Sequence, residues 1–171
     1  MRPIDGIDLS GSNVLVENIT IYNGDDGIVV SPPAFNVTVR NAQLHGTHGL
    51  SVTCTSGVGA NYTFENADIY DSLIGCQFKG KKGTTCNLTD VHWRNIRVHS
   101  VSYPIHFIEN YWDPESPIAP PNTDLAAYAT NWTWEGISGT TALSIGDGSC
   151  VSNPCWYYTA GKPLFHPTRQ I

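Results

Sequence analysis

The sequence predicts an all-β solenoid, a parallel β-helix with coils of about 23–29 residues. Three observations carry that prediction: an internal repeat, a shift in apolar alternation inside each repeat, and the lack of helical periodicity anywhere in the chain. The repeat reads Asn13-Val-Leu-Val-Glu-Asn18, Asn36-Val-Thr-Val-Arg-Asn41 and Asn61-Tyr-Thr-Phe-Glu-Asn66, with a looser relative at Val91-His-Trp-Arg-Asn95. Its second asparagines, at 18, 41, 66 and 95, are 23, 25 and 29 residues apart, and periods of this size belong to solenoids.

Within a repeat, apolar residues alternate at Val14 and Val16 and resume one position out of phase at Ile19 and Ile21. The same shift follows Asn41, Asn66 and Asn95, which marks a bend between two strands. Asparagine suits such a bend because it tolerates the left-handed conformation, and its amide can bond to the backbone or to an Asn one coil away. The asparagines are therefore expected to form a structural ladder. A third strand follows in each repeat, with inward pairs Ile28/Val30, Leu50/Val52, Cys76/Phe78 and Ile105/Phe107. Residues 113–121 read as a Pro-rich loop, and Asn131-Trp-Thr-Trp as the start of another coil. Residues 1–150 are expected to form one domain, and residues 151–171 an irregular tail.

No apolar run approaches the roughly 20 residues of a membrane helix. A formal charge of −6 argues against a general nucleic-acid surface, since Lys79-Gly80-Lys81-Lys82 is the one basic cluster. Five Asn-Xaa-Thr sequons (Asn18, Asn36, Asn61, Asn87, Asn131) and five cysteines agree with an oxidising, extracellular compartment, although strand and turn preference also yields such triplets. Cys150 and Cys155 are closely spaced, and the pairing is not legible from sequence. Met1-Arg2-Pro3 leads into the repeat without an apolar leader, and the chain stops abruptly at Ile171. A secreted, monomeric protein incomplete at both ends is the expectation.

The titratable residues recur in phase. Asp5, Asp26 and His48 each precede a glycine and an aliphatic residue, 21 and 22 residues apart, so stacked coils would form them into a column with a spacing of about 5 Å. The outward residues of the third strand add Asp8 and Ser10, Val29 and Ser31, Ser51 and Thr53, and Gln77 and Lys79 to the same face. Clustered carboxylates in an open groove suit glycoside hydrolysis, in which one acid protonates the leaving oxygen and an ionised partner activates water. Asp25 and Asp26 can enter one groove only through a special turn, which the sequence assigns to Gly24 and Gly27. Gly-Asp-Asp-Gly alone would more often be a plain surface turn, and the phase match reverses that preference. Calcium held by the carboxylates, as in a lyase, is the competing chemistry, with Lys79 the one residue placed to abstract a proton. Cys-Xaa4-Cys is too sparse for zinc, and the hydrolytic reading calls for no cofactor or metal.

These residues, in this order, resemble glycoside hydrolase family 28, the polygalacturonase-like pectinases built on a right-handed parallel β-helix. The family's four motifs have counterparts in Pro3-Ile4-Asp5, Gly24-Asp25-Asp26, Thr47-His48-Gly49 and Gln77-Phe78-Lys79, and Tyr111 matches a later family tyrosine. The resemblance implies Asp25 as general acid, Asp5 and Asp26 as holders of the attacking water with inversion at the anomeric carbon, and His48 as the residue that tunes or reprotonates the acid. It implies Lys79 and Tyr111 as contacts to a sugar acid, with Gln77 at the position of an arginine that usually grips the galacturonate carboxylate. A neutral amide cannot make that contact, so the substrate is expected to differ from plain polygalacturonate. The general look resembles fungal exo-acting members such as exo-rhamnogalacturonases, exo-polygalacturonases and xylogalacturonan hydrolases, with a pectic polysaccharide as partner. The rival from another class is a catalytically silent β-helix that binds polysaccharide.

Overall fold

The computed structural model describes residues 4–113, 116–123, 125–143, 146–149, 158–159 and 162–163. Its elements are β1 Ile7–Tyr22, β2 Ile28–His45, β3 Leu50–Cys54, β4 Gly57–Tyr70, β5 Ile74–Lys81, β6 Cys86–Val101, β7 Tyr103–Tyr111, β8 Ala127–Glu135, β9 Ser138–Thr141, β10 Gly146–Ser149, β11 Tyr158–Thr159 and β12 Lys162–Pro163. Among the described residues there is no helix, and so none long and apolar enough to cross a membrane. The short β11–β12 pair is antiparallel, while β1 to β10 pair in parallel as one continuous winding. The fold is the expected right-handed parallel β-helix. Cys150 and Cys155 lie outside the described residues, as does most of the expected tail.

The register confirms the phase of the repeat. Ile7 pairs with Ile28, Ile28 with Leu50, Leu50 with Cys76, and Cys76 with Ile105. The long strands β1, β2, β4 and β6 run through more than one face of the coil and bend where asparagine adopts a positive φ: 55° at Asn18, 53° at Asn41, 55° at Asn66 and 52° at Asn95. The side chains join across coils, Asn41 Nδ2 donating to Asn18 Oδ1 at 3.2 Å and Asn95 Nδ2 to Asn66 Oδ1 at 3.2 Å. A second column, at the asparagines that open the repeats, bends β1, β2, β4, β6 and β8 at Asn13, Asn36, Asn61, Asp90 and Asn131, all with φ of 55–62°. Asn36 donates to Asn13 and Asn61 to Asn36, while Asp90 accepts from Asn131.

Side chains between the bends fill the coil. Ile28, Val30, Leu50, Val52, Phe78 and Phe107 are at most 1% exposed, and Phe64, Trp93 and Trp134 stack with ring centroids 5.3 and 5.1 Å apart. The Asn131-Trp-Thr-Trp segment does open a further coil, Trp132 pairing with Val91 and Trp134 with Trp93. Cys54 and Cys86 form a disulfide between neighbouring coils, and Cys76 is a buried free thiol. Between β7 and β8 the chain leaves the sheet as the expected loop and returns at Ala127.

Candidate active site

The site sits where the chain enters β1, β2 and β3, and a column of glycines explains its form. Gly6 N–H donates to the Asp26 carbonyl at 2.9 Å and Gly27 N–H to the Gly49 carbonyl at 3.0 Å, so the coils close tightly here. A Cβ on Gly6 would lie 2.3 Å from Gly27 O, one on Gly27 2.9 Å from Gly49 O, and one on Gly49 2.0 Å from Gly75 O. No side chain fits at these positions, so those of Asp5, Asp26 and His48, one residue earlier, become the nearest functional groups on each coil.

The turn that admits both Asp25 and Asp26 differs in cause from the expectation. Gly27 does not adopt a left-handed φ, and the lack of space on its Cα accounts for its identity. Asn23 holds the turn: its Nδ2 donates to Asp26 O at 2.8 Å and to Ile4 O at 3.1 Å, tying it to the preceding coil. Asp25 Oδ1 accepts the N–H of the next residue, Asp26, at 2.9 Å, which orients its carboxylate along the turn. His48 N–H donates to Asp25 O at 2.7 Å and fixes the next coil to the same turn.

Each of the two adjacent carboxylates meets a different partner. Asp25 Oδ1 is 3.2 Å from His48 Nδ1, with both side chains about one-third exposed. Asp26 is 3% exposed; its Oδ2 is 2.5 Å from Lys79 Nζ and its Oδ1 accepts from Ser51 Oγ at 3.0 Å. His48 Nδ1 is also 3.9 Å from Asp26 Oδ1. Burial first, then the charges of Asp26, Asp25 and Asp8, hold the Asp5 carboxyl above the usual aspartate range, with Lys79 pulling the other way. Lys79 Nζ lies 5.8 Å from the centre of the Tyr111 ring, within cation–π range. Burial raises the Tyr111 hydroxyl and Lys79 opposes it.

A cleft of about 730 Å³ opens beside this cluster, walled by Asp25, Thr53, Lys79, Lys81, Tyr111, Trp112 and the loop residues Asp113 and Ser116 to Ile118. Trp112 Nε1 donates to Ile118 O at 3.0 Å and braces that loop. The structure thus brings together Asp5, Asp25, Asp26, His48, Lys79 and Tyr111 as the sequence predicted. Gln77 is as buried as Asp26, at 3% exposed, and its carboxamide is engaged with Ser51 and His106. Strand parity put Val29, Ser51 and Gln77 on the outer face, yet all three are buried there, Ser51 against Asp26 and Gln77 against Ser51 and His106.

Sequence reasoning gave Asn23, Ser51 and His106 no role. Asn23 was detectable as a turn former before Gly24, and His106 stands in register with Gln77 at the 29-residue interval of the asparagines. Asp25, Asp26 and His48 offer ligand atoms within 4.8 Å of one another, close enough to share a cation. The Lys79 ammonium already answers Asp26 from the same side of the coil, so a divalent ion would compete with a fixed charge.

Comparison with known proteins agrees with this geometry. The chain is 34% identical over 175 residues to a probable exopolygalacturonase C of Aspergillus flavus, and 34% identical over 172 residues to that of Aspergillus niger. These alignments take in 98% and 95% of this chain but only 40% and 39% of the relatives. A probable endopolygalacturonase D of Neosartorya fischeri is 30% identical over 158 residues, covering 85% of this chain and 33% of that protein. Residues 2–150 match the profile of the glycosyl hydrolases family 28, and with its β-helix and phased acidic residues the chain belongs to that family.

Proposed function

We propose that this chain carries the catalytic face of a pectin-degrading glycoside hydrolase that cleaves α-galacturonosyl linkages with inversion, working from chain ends. The observation that carries the reading is the pairing at the cleft: Asp25 beside His48, and Asp26 held by Lys79 and Ser51, in phase with Asp5. Asp25, on the cleft wall, donates its proton to the glycosidic oxygen as that bond to the anomeric carbon breaks. Asp5 and Asp26 orient a water molecule and accept its proton as the new carbon–oxygen bond forms on the opposite face. His48 returns a proton to Asp25. Lys79 and Tyr111 contact the uronic acid, and Lys81 adds positive charge further along the cleft.

Exo action is supported by the loop residues Asp113 and Ser116 to Ile118, which wall the cleft, and by the names of the Aspergillus relatives. With the Gln77 carboxamide engaged by Ser51 and His106, the substrate carboxylate falls to Lys79 and Lys81, which take uronates as point charges. Polygalacturonan is thus the first substrate, ahead of rhamnogalacturonan and xylogalacturonan. The disulfide and the sequons support an extracellular setting. The test is release of reducing ends from the three pectic polymers, with Asp25→Asn as control. Early monomeric galacturonate supports exo action, early oligomers count against it, and no release by a folded protein overturns the hydrolase reading.

A further inference from the structure

Ser51, Gln77 and His106 form a polar row beneath the acidic turn that the mechanism above does not use. Ser51 Oγ lies 3.0 Å from Asp26 Oδ1, 2.9 Å from one end of the Gln77 carboxamide and 3.3 Å from the His48 carbonyl oxygen. The other end of that carboxamide is 3.2 Å from His106 Nδ1. Ser51 is 0%, Gln77 3% and Asp26 3% exposed, so bulk water does not complete their hydrogen bonds.

The proton inventory decides how the row is oriented. A serine hydroxyl carries one proton. With the Gln77 oxygen turned toward Ser51, the Asp26 carboxylate, the amide oxygen and the His48 carbonyl compete for that proton, and at least one buried acceptor goes unmet at a cost. Carboxamide oxygen and nitrogen are distinguished only by their partners. With the amide reversed, Gln77 Nε2 donates to Ser51 Oγ, Ser51 donates to Asp26 Oδ1, and Gln77 Oε1 accepts from His106 Nδ1–H. Ser51 Oγ, Gln77 Oε1 and Asp26 Oδ1 are then each met by a donor, these three protons point toward Asp26, and Lys79 meets the other carboxylate oxygen.

We infer that His106 is a positioning residue that fixes Asp26 through a directed hydrogen-bond relay, His106 to Gln77 to Ser51 to Asp26. The inference rests on the proposed role of Asp26 in holding the attacking water. It also explains glutamine at position 77 on chemical grounds: the relay needs an acceptor and a donor on one side chain, and arginine or lysine has no acceptor. Across the register His106 faces Gln77 on β5 and the backbone of Asp147 on β10.

The test reads the histidine tautomer directly, by long-range proton–nitrogen correlation on the 15N-labelled full chain with its imidazoles neutral. The relay requires His106 in the Nδ1–H form, and an Nε2–H tautomer with Nδ1 bare overturns it. Ser51→Ala frees the amide to turn, and the Nδ1–H to Nε2–H ratio is expected to fall roughly fivefold, the ratio one net hydrogen bond supports. Gln77→Leu is expected to lower that ratio by at least as much. An unchanged ratio in both variants, folded by circular dichroism, overturns the relay. Neither measurement needs turnover, so a failure of the hydrolase reading leaves this result separately readable. If the chain is active, Ser51→Ala lowers kcat with KM little changed.

Discussion

Replacing Lys79 by Met removes one ammonium and keeps most of the side chain's bulk, so the ion pair with Asp26 is tested apart from packing. The pair lies 2.5 Å apart with side chains 16% and 4% exposed. At that distance the attraction is about 6–7 kcal/mol for an effective dielectric of about 20. Desolvating both ions offsets most of this, so the intact pair contributes little net stability. Breaking it is a different quantity, because Asp26 stays buried with Ser51 as its remaining side-chain donor, and such a loss costs about 3–5 kcal/mol. Urea unfolding at neutral pH, followed by tryptophan fluorescence, measures the difference, since Trp93 reports from within the coil. The double variant Lys79→Met with Asp26→Asn leaves no lone charge and is expected to recover roughly 2 kcal/mol. A Lys79→Met loss under about 1 kcal/mol, the range of exposed pairs, or strict additivity in the double variant, refutes the reasoning.

Four further outcomes follow from the same geometry. The Asp5 carboxyl, raised by burial and by its acidic neighbours, is expected to titrate above an ordinary aspartate; by carboxyl carbon NMR its midpoint moves down in Asp26→Asn and up in Lys79→Met, and equal signs would contradict the assignment. Gly49→Ala places a methyl 2.0 Å from Gly75 O at a φ of +78°, and a destabilisation of about 2–5 kcal/mol in urea is expected, with His48 displaced. Tyr62 is buried, and its hydroxyl has no hydrogen-bond partner among the described residues; Tyr62→Phe is therefore expected to raise stability by roughly 1 kcal/mol in calorimetry, while a loss of that size would reveal an unseen partner. Cys54→Ala opens a link spanning 32 residues beside the cleft and is expected to cost about 3–4 kcal/mol in the same measurement.

The residues that were legible in the sequence are those whose identity is set by the repeat itself. Asn18, Asn41, Asn66 and Asn95 showed as phase breaks because a left-handed bend shifts the inward parity by one. The parallel register made Asp5, Asp26 and His48 coil-to-coil neighbours for the same reason. Parity names a face and does not say what covers it, which is why the burial of Gln77 against Ser51 and His106 is not legible in the sequence. The Cys54–Cys86 pairing joins the end of β3 to the start of β6, a contact set by how one coil overlays the next and by no local spacing. Asp90 takes the place of asparagine in the second ladder, and its φ of 58° and the bond it accepts from Asn131 reveal the equivalence.

Stacking acidic residues at the spacing of neighbouring strands creates a problem that the fold must solve, since like charges that close disfavour one another. The structure answers by giving each side chain a different exit from the column. Asp25 turns toward His48 in the next coil, and Asp26 turns inward to Lys79 and Ser51 two coils and one coil away. Asp5, at the start of the column, is partly buried beside Asp26, Asp25 and Asp8, and burial first and then these charges raise its carboxyl against the pull of Lys79. Three aspartates of one chemical type thus acquire three environments, the separation a reaction needs when one carboxyl must give a proton while others accept one. The glycines make this possible: with carbonyls under 3 Å from each missing Cβ, the coils close enough for Lys79 on β5 to reach a turn 53 residues earlier.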